Sequence, residues 1–374
     1  MDPRKKLISA ALIVRDEEAF LGPCLQSIRA VVDDIVIVDT GSADRSREIA
    51  ADHGARVFEY RWRGDFAAAR NQAIEQAEGD WILYIDADER IRPYDRTTLE
   101  RELGAADLCA ATVHFHPHTS FTAYREHRLF RRDARIRFRG VIHETIVPDL
   151  QRLLATGEWR RGASALTIDH LGYEGDQSQK AVRNRPLLEK AIEADPDRVY
   201  LRWHLGTVYR DLGRLADAER AWLAGVAIAR RSAAYDPEHA LCFIELAKVR
   251  LAQGEDPMPL LHEASAMHPE NLMLQWLAAR ALIAARAYED AIAIFERLGA
   301  INGETLLTDT AYDRRILGAG AFAEAGYWAF RTGRYRESEA WYRRAEMREP
   351  DRIEFRIKRE LASRRSASAA GAPP

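Results

Sequence analysis

Trp81-Ile-Leu-Tyr-Ile-Asp86-Ala-Asp88-Glu89 is an apolar run that stops abruptly at three acids within four positions. The run reads as a buried strand. Acids crowded at the tip of such a strand pack poorly and repel one another. That repulsion raises their pKa values unless a cation is close, and a divalent ion with oxygen ligands is its natural partner. A solvated turn with helix-capping carboxylates is the other reading. A second strand favours the chemical one, because Ile35-Val-Ile-Val38 runs straight into Asp39-Thr-Gly41-Ser42-x-Asp44.

Outward from these two strand ends, short β-branched runs alternate with amphipathic stretches. Leu7 to Val14 precedes Ala19 to Val31, Asp34 to Val38 precedes Ser46 to His53, and Arg56 to Tyr60 precedes Phe66 to Glu78. The alternation predicts strand-helix units around a largely parallel sheet. Nearly all-apolar strands are expected when helices cover both faces. Ligands of open sheets bind beyond the carboxyl ends of the strands, where the acids stand.

From about Gln177 the strand-like runs vanish, and Ala, Leu, Arg and Glu recur at helical spacing. Leu205-Gly206-x-x-Tyr209, followed by Ala218, Trp222 and Gly225, matches the tetratricopeptide pattern over most of one repeat. Ala325-Gly326, Gly333, Tyr335, Ser338, Tyr342, Ala345 and Pro350 repeat the scheme, with a looser copy over Ala278 to Phe295. Small residues let paired helices approach and large ones fill the gap. An unrelated helical bundle is the alternative. The reading divides the chain into an α/β domain over 1–176, tetratricopeptide-like helices over 177–351, and a basic tail over 352–374 expected to be disordered.

A length of 374 residues suits two domains. With 47% hydrophobic and 30% charged residues the chain belongs among folded globular proteins. A net charge of −3 supplies no global field for a nucleic-acid backbone, so nucleic acid is not an expected partner. Of the 55 basic residues only six are Lys, which suits bidentate contact with phosphate or reflects a GC-rich genome. Leu7 to Val14 is too short for a transmembrane segment and lacks a cleavage site, so a cytoplasmic location is expected. Cys24, Cys109 and Cys242 are scattered without a CxxC pair and are expected to be buried thiols.

Val38-Asp39-Thr-Gly-Ser-x-Asp44, Asp65-Phe-Ala-x-Ala-Arg70-Asn71 and the Asp86-x-Asp88 strand end resemble the motifs of family-two glycosyltransferases with the GT-A fold. The joining of such a domain to tetratricopeptide repeats resembles a bacterial subgroup that includes enzymes glycosylating peptides. The resemblance covers roughly residues 5 to 175. It implies a nucleotide-sugar site lined by Val14 and Glu17, with Asp39 on the base or ribose and Arg70 near the diphosphate, positioned by Asp65. Asp86, with Ala87 beside it, would hold ribose or sugar hydroxyls. Asp88 would ligate a divalent metal, Mn²⁺ or Mg²⁺, on the diphosphate of a UDP-sugar. Arg15-Asp16 stands where many members have a Lys-Asn pair.

A metal beside the departing diphosphate offers Lewis-acid stabilisation. Phe138-Arg-Gly140-Val-Ile-His143-Glu144 ends another apolar segment, where Glu144 could take the acceptor proton beside His143 in a single, inverting displacement. Glu144 reads alternatively as the ion-pair partner of a nearby arginine, and His143 as a structural residue. His170 lies where GT-A enzymes often return a late histidine to the metal or diphosphate, or else belongs to the core. His114-Phe-His116-Pro-His118 reads as strand-edge or acceptor-cleft lining rather than zinc site. The helical half is expected to present a peptide or protein acceptor, or to form a homodimer through exposed aromatics. Transfer to a saccharide or lipid-linked acceptor, and a non-catalytic repeat scaffold, are the alternatives.

Overall fold

The computed structural model describes residues 7–117, 120–172 and 177–370. Its first half runs β1 (Ile8–Val14), α1 (Leu21–Ile28), β2 (Asp34–Asp39), α2 (Ser46–Asp52), β3 (Arg56–Glu59), α3 (Phe66–Gln76) and β4 (Trp81–Tyr84). It continues with β5 (Glu89–Ile91), α4 (Arg96–Leu103), β6 (Leu108–His116), β7 (Ala123–Arg131), α5 (Val147–Leu154) and β8 (Arg160–His170). Leu21, Cys24, Leu25 and Ile28 of α1 are buried at helical spacing against the sheet. The interior strand β1 is buried on both faces, which explains its lack of polar alternation.

The strand order is β3-β2-β1-β4-β7-β6-β8-β5. Strands β1 to β4 are parallel where they pair, as the strand-helix alternation predicts. Beyond β4 the sheet is mixed, since β7 runs antiparallel to both β4 and β6. This departs from a largely parallel sheet. The topology nonetheless brings the tips of β1, β2 and β4 to one edge.

The second half contains α6 (Gln177–Ala194), α7 (Val199–Asp211), α8 (Leu215–Arg231), α9 (His239–Gln253) and α10 (Met258–Met267). It ends with α11 (Leu272–Ala284), α12 (Tyr288–Ala300), β9 (Leu307–Thr308), α13 (Gly318–Arg331), α14 (Tyr335–Arg348) and α15 (Ile353–Ala370). The helical array has the tetratricopeptide-like character that its small residues foretell. A Cβ on Gly206 would come within 2.2 Å of the Trp222 indole, so only glycine lets α7 and α8 close. That indole donates to the Trp203 carbonyl at 3.1 Å. In the last pair the Ser338 hydroxyl donates to the Gly326 carbonyl at 2.8 Å beneath Tyr342.

The basic tail forms a helix instead of the expected disorder. Phe355, 1% exposed, joins Phe322 and Tyr342 in one apolar cluster, and Ala362 is also buried, so two apolar residues a heptad apart hold α15 on the array. Residues 371–374 lie outside the described residues. No helix among the described residues is long and apolar enough to cross a membrane.

The helical half is stitched to the sheet at two places. β9 pairs in parallel with the start of β7, where the Thr122 amide donates to the Tyr312 carbonyl at 2.8 Å. Ile142 packs in one cluster with Leu188, Leu201 and Leu205, and Arg198 donates to the His143 carbonyl at 2.9 Å.

Candidate active site

The loops after β1 and β2 clasp each other. Asp16 and Glu17 amides donate to the Ser42 and Ser46 hydroxyls, while the Ala43 amide donates to Asp16 Oδ1 at 2.7 Å. Asp39 Oδ1 accepts from the amides of Gly41 and Ser42, a turn that needs Gly41 at φ 110°. Its second oxygen, Oδ2, is buried without a hydrogen-bond partner among the described residues, on a residue only 2% exposed. A buried carboxylate oxygen left open is costly unless a ligand donor completes it. Val14 is buried at the tip of β1, its carbonyl accepting from the Thr40 amide at 2.9 Å.

Asp65 caps α3, accepting from the Ala68 amide at 2.9 Å. Its hydrogen bond is to the helix backbone, so it places Arg70 by fixing the helix start. The guanidinium of Arg70 itself bridges two acids, donating from Nη2 to Asp86 Oδ1 at 2.8 Å and from Nε to Glu144 Oε1 at 2.5 Å. It is 9% exposed beside the rings of Tyr84 and Phe138, and its Nη1 has no hydrogen-bond partner among the described residues. Burial alone would raise the Asp86 pKa, but Arg70 and Arg128 hold it below the usual carboxylate range. Asn71 locks the opposite wall, exchanging two hydrogen bonds with the Phe138 main chain.

Asp88 Oδ2 lies 3.1 Å from His170 Nε2, and His170 Nδ1 lies 3.0 Å from the Pro117 carbonyl. The hydrogen bond to Asp88 pushes His170 up to about 9. Ala87 is buried between the two acids. Burial first, then the charges of Asp88 and Asp86, raise Glu17 to about 7. Glu17, Asp86 and Asp88 therefore concentrate acidic groups at this end of the site.

These residues fit a divalent ion. A carboxylate oxygen and an imidazole nitrogen 3.1 Å apart match neighbouring ligands of an octahedral ion with bonds of about 2.1 Å. The Nδ1 contact to a carbonyl is the outer bond that fixes a ligating histidine. Among the described residues no group of three or more His, Cys, Asp or Glu is gathered. Such an ion would thus take its remaining ligands from phosphate and water, the habit of Mg²⁺.

The acids open onto a cleft of ≈ 2430 Å³, whose far wall comes from the helical half through Arg198, Tyr200, Trp203, Tyr235 and Tyr312. His143, at φ 51°, turns to that half. Its ring stacks on His204 at 3.7 Å between centroids, and burial followed by Arg198 lowers it to about 4. His114 and His116 lie on β6, an interior strand, and neither borders the cleft, so neither the edge nor the cleft-lining reading holds. Alternation along β6 places both on one face of a strand already paired on each side. His118 lies outside the described residues. The residues that the sequence did not single out are Arg128, Glu126 and the aromatic wall. Glu126 and Arg128 share a strand face by alternation, which is the one local signal available for them.

Strand tips bearing acids over such a cleft define the nucleotide-diphospho-sugar transferase (GT-A) class of fold. Residues 9–150 match the family model Glycosyl transferase family 2. A TPR repeat-containing protein of Synechococcus elongatus is 39% identical over 223 residues, 58% of this chain and 55% of that protein. The SPbeta prophage-derived glycosyltransferase SunS of Bacillus subtilis is 25% identical over 199 residues, 51% of this chain and 46% of that protein. The chain spans about half the length of these relatives. Among solved structures, glucosyl-3-phosphoglycerate synthase from Mycobacterium tuberculosis in complex with Mn²⁺ and UDP-glucose is 15% identical, with a TM-score of 0.36, over 49% of this chain and 77% of that one.

Proposed function

We propose that the chain is an inverting glycosyltransferase that moves a sugar from a nucleotide-diphosphate donor, a UDP-sugar, to a peptide or protein side chain. Residues 1–176 form the donor-binding unit and 177–351 the helical unit that presents the acceptor. The observation that carries this reading is the meeting of Asp86, Asp88, Glu17, Arg70 and His170 at one end of a cleft whose other wall is helical.

Each residue has a task in this reading. The open Oδ2 of Asp39 receives a donor group of the base or ribose, with Val14 and Glu17 beside it. Arg70 offers its unpaired Nη1 to the diphosphate, Asp86 and Ala87 hold the sugar side, and Asp88 with His170 would hold a divalent ion. That ion, when bound, neutralises charge on the leaving diphosphate. The acceptor heteroatom bonds to the anomeric carbon as the carbon–oxygen bond to the diphosphate breaks, and the proton passes to Glu144. Glu144 shares Arg70 with Asp86, so a diphosphate that draws the guanidinium toward itself frees the carboxylate when the donor is in place. His143, stacked and shifted down, supports the wall rather than carrying a proton.

Thermal-shift titration with a panel of nucleotide sugars and Mn²⁺ or Mg²⁺ tests the donor, because binding to the folded state alone raises its stability. A metal-dependent rise with one donor is expected. No shift with any donor would favour a non-catalytic scaffold. Mass analysis of candidate acceptors incubated with the active donor then separates peptide from saccharide or lipid-linked transfer.

A further inference from the structure

Under the acidic turn lies an ion pair that nothing above uses. Glu89 is 1% exposed and Arg128 is 5% exposed. Arg128 donates to Glu89 through Nη2 at 2.8 Å and Nη1 at 3.1 Å. Glu89 Oε2 also accepts the backbone amide of Asp86 at 2.8 Å. In the β5–β8 ladder Glu89 stands directly opposite His170. The guanidinium is held by the rings of Tyr84 at 4.4 Å and Phe115 at 4.6 Å, and Phe115 is in turn stacked on His170 at 6.1 Å. Its Nε lies 3.2 Å from Glu126, which borders the cleft.

We propose that Arg128 and Glu89 are positioning residues that set the separation of Asp86, Asp88 and His170 and so tune the donor–metal site. A pair buried this deeply is weak evidence for stability, because the desolvation of both charges offsets their attraction and apolar replacements are often neutral. What the pair does supply is direction. One carboxylate fixes the Asp86 main chain at the start of the turn and, through β5, faces the histidine at its other wall. One guanidinium fixes that carboxylate with two bonds and the histidine's neighbour with a ring contact. Outer partners of this kind are worth about 10- to 100-fold in metal affinity or activity.

The inference rests on the donor reading above, and its test keeps the two apart. Mn²⁺ is titrated calorimetrically into the full chain in the presence of UDP, alongside thermal unfolding without ligand. Glu89→Gln places an amide donor against one of three incoming donors. It is expected to weaken Mn²⁺ binding about 10-fold with little change in unfolding temperature. Arg128→Met combined with Glu89→Gln leaves an acceptor for the Asp86 amide but removes the lock, and a loss of about 10- to 100-fold is expected. Should the double variant fail to fold, Glu89→Gln decides. Unchanged Mn²⁺ affinity in a folded variant would overturn the positioning role alone. Absence of Mn²⁺ and UDP binding by the unsubstituted protein would overturn the donor reading and this inference with it.

Discussion

The two walls of the cleft are built on opposite plans. On the sheet side, charged groups gather at the strand tips and on the neighbouring helix α3, several of them fixed by short hydrogen bonds, as Arg70 is by Asp86 and Glu144. The helical side adds an aromatic set, Tyr200, Trp203, Tyr235 and Tyr312, among charged groups such as Arg198, Glu238 and Lys248, and rests on helices that glycine lets pack closely. Under the proposed function, the contrast means that donor and acceptor recognition answer to different physics. A diphosphate needs fixed charges in fixed places, whereas an extended acceptor is accommodated by surface shape.

The largest effect is expected on the charged wall. Asp88→Asn removes the anionic partner of His170 and should lower turnover about 1000-fold, measured with saturating donor and metal. Glu144→Gln should lower turnover about 100-fold while donor affinity by thermal shift is largely retained. Full activity in both variants would dissolve the division between the walls. Gly206→Ala acts on the helical wall only. It drives a methyl into Trp222 and should cost about 1–3 kcal/mol in denaturant unfolding while leaving the donor shift intact.

Acidity probes the seam between the walls. His143 and His204 are held neutral, mainly by burial, with folded-state values lowered to about 4 and about 2. The unfolded chain binds these protons near pH 6.5, so their contribution is full above that pH and is lost as pH falls toward about 4. Unfolding near pH 5 should show a loss of about 1–2 kcal/mol per histidine, and His204→Phe should flatten that dependence. The smallest effect is reserved for Tyr235→Ala, a cleft residue 73% exposed, which should raise the acceptor KM a few-fold and leave donor binding alone.

The sheet side of the cleft was legible in the sequence because its residues arrive in short, chemically odd runs. Three acids after a buried strand stand out in the sequence, and Asp65 through Asn71 lie within two turns of one helix. The helical side has no such runs. Tyr200, Tyr235 and Tyr312 come from separate segments and meet only in space. Arg128 and Glu89 are 39 positions apart, and no periodicity links them. Two-residue β9 is too short to show a strand period, and α15 was hidden by its basic composition although Phe355 and Ala362 anchor it. His143 was read as chemistry from its neighbour Glu144, and its ring faces a histidine supplied by the other half.

The seam at β9 carries a consequence for how the chain must be handled. Thr122 exchanges bonds with Tyr312 across 190 positions, so the sheet is finished only once distant helices have formed. Cutting the polypeptide after its transferase half would bare an edge of β7 and invite association through it. Synthesis from the amino terminus thus leaves the sheet waiting, unsealed, until the chain's own helices arrive to close the last strand.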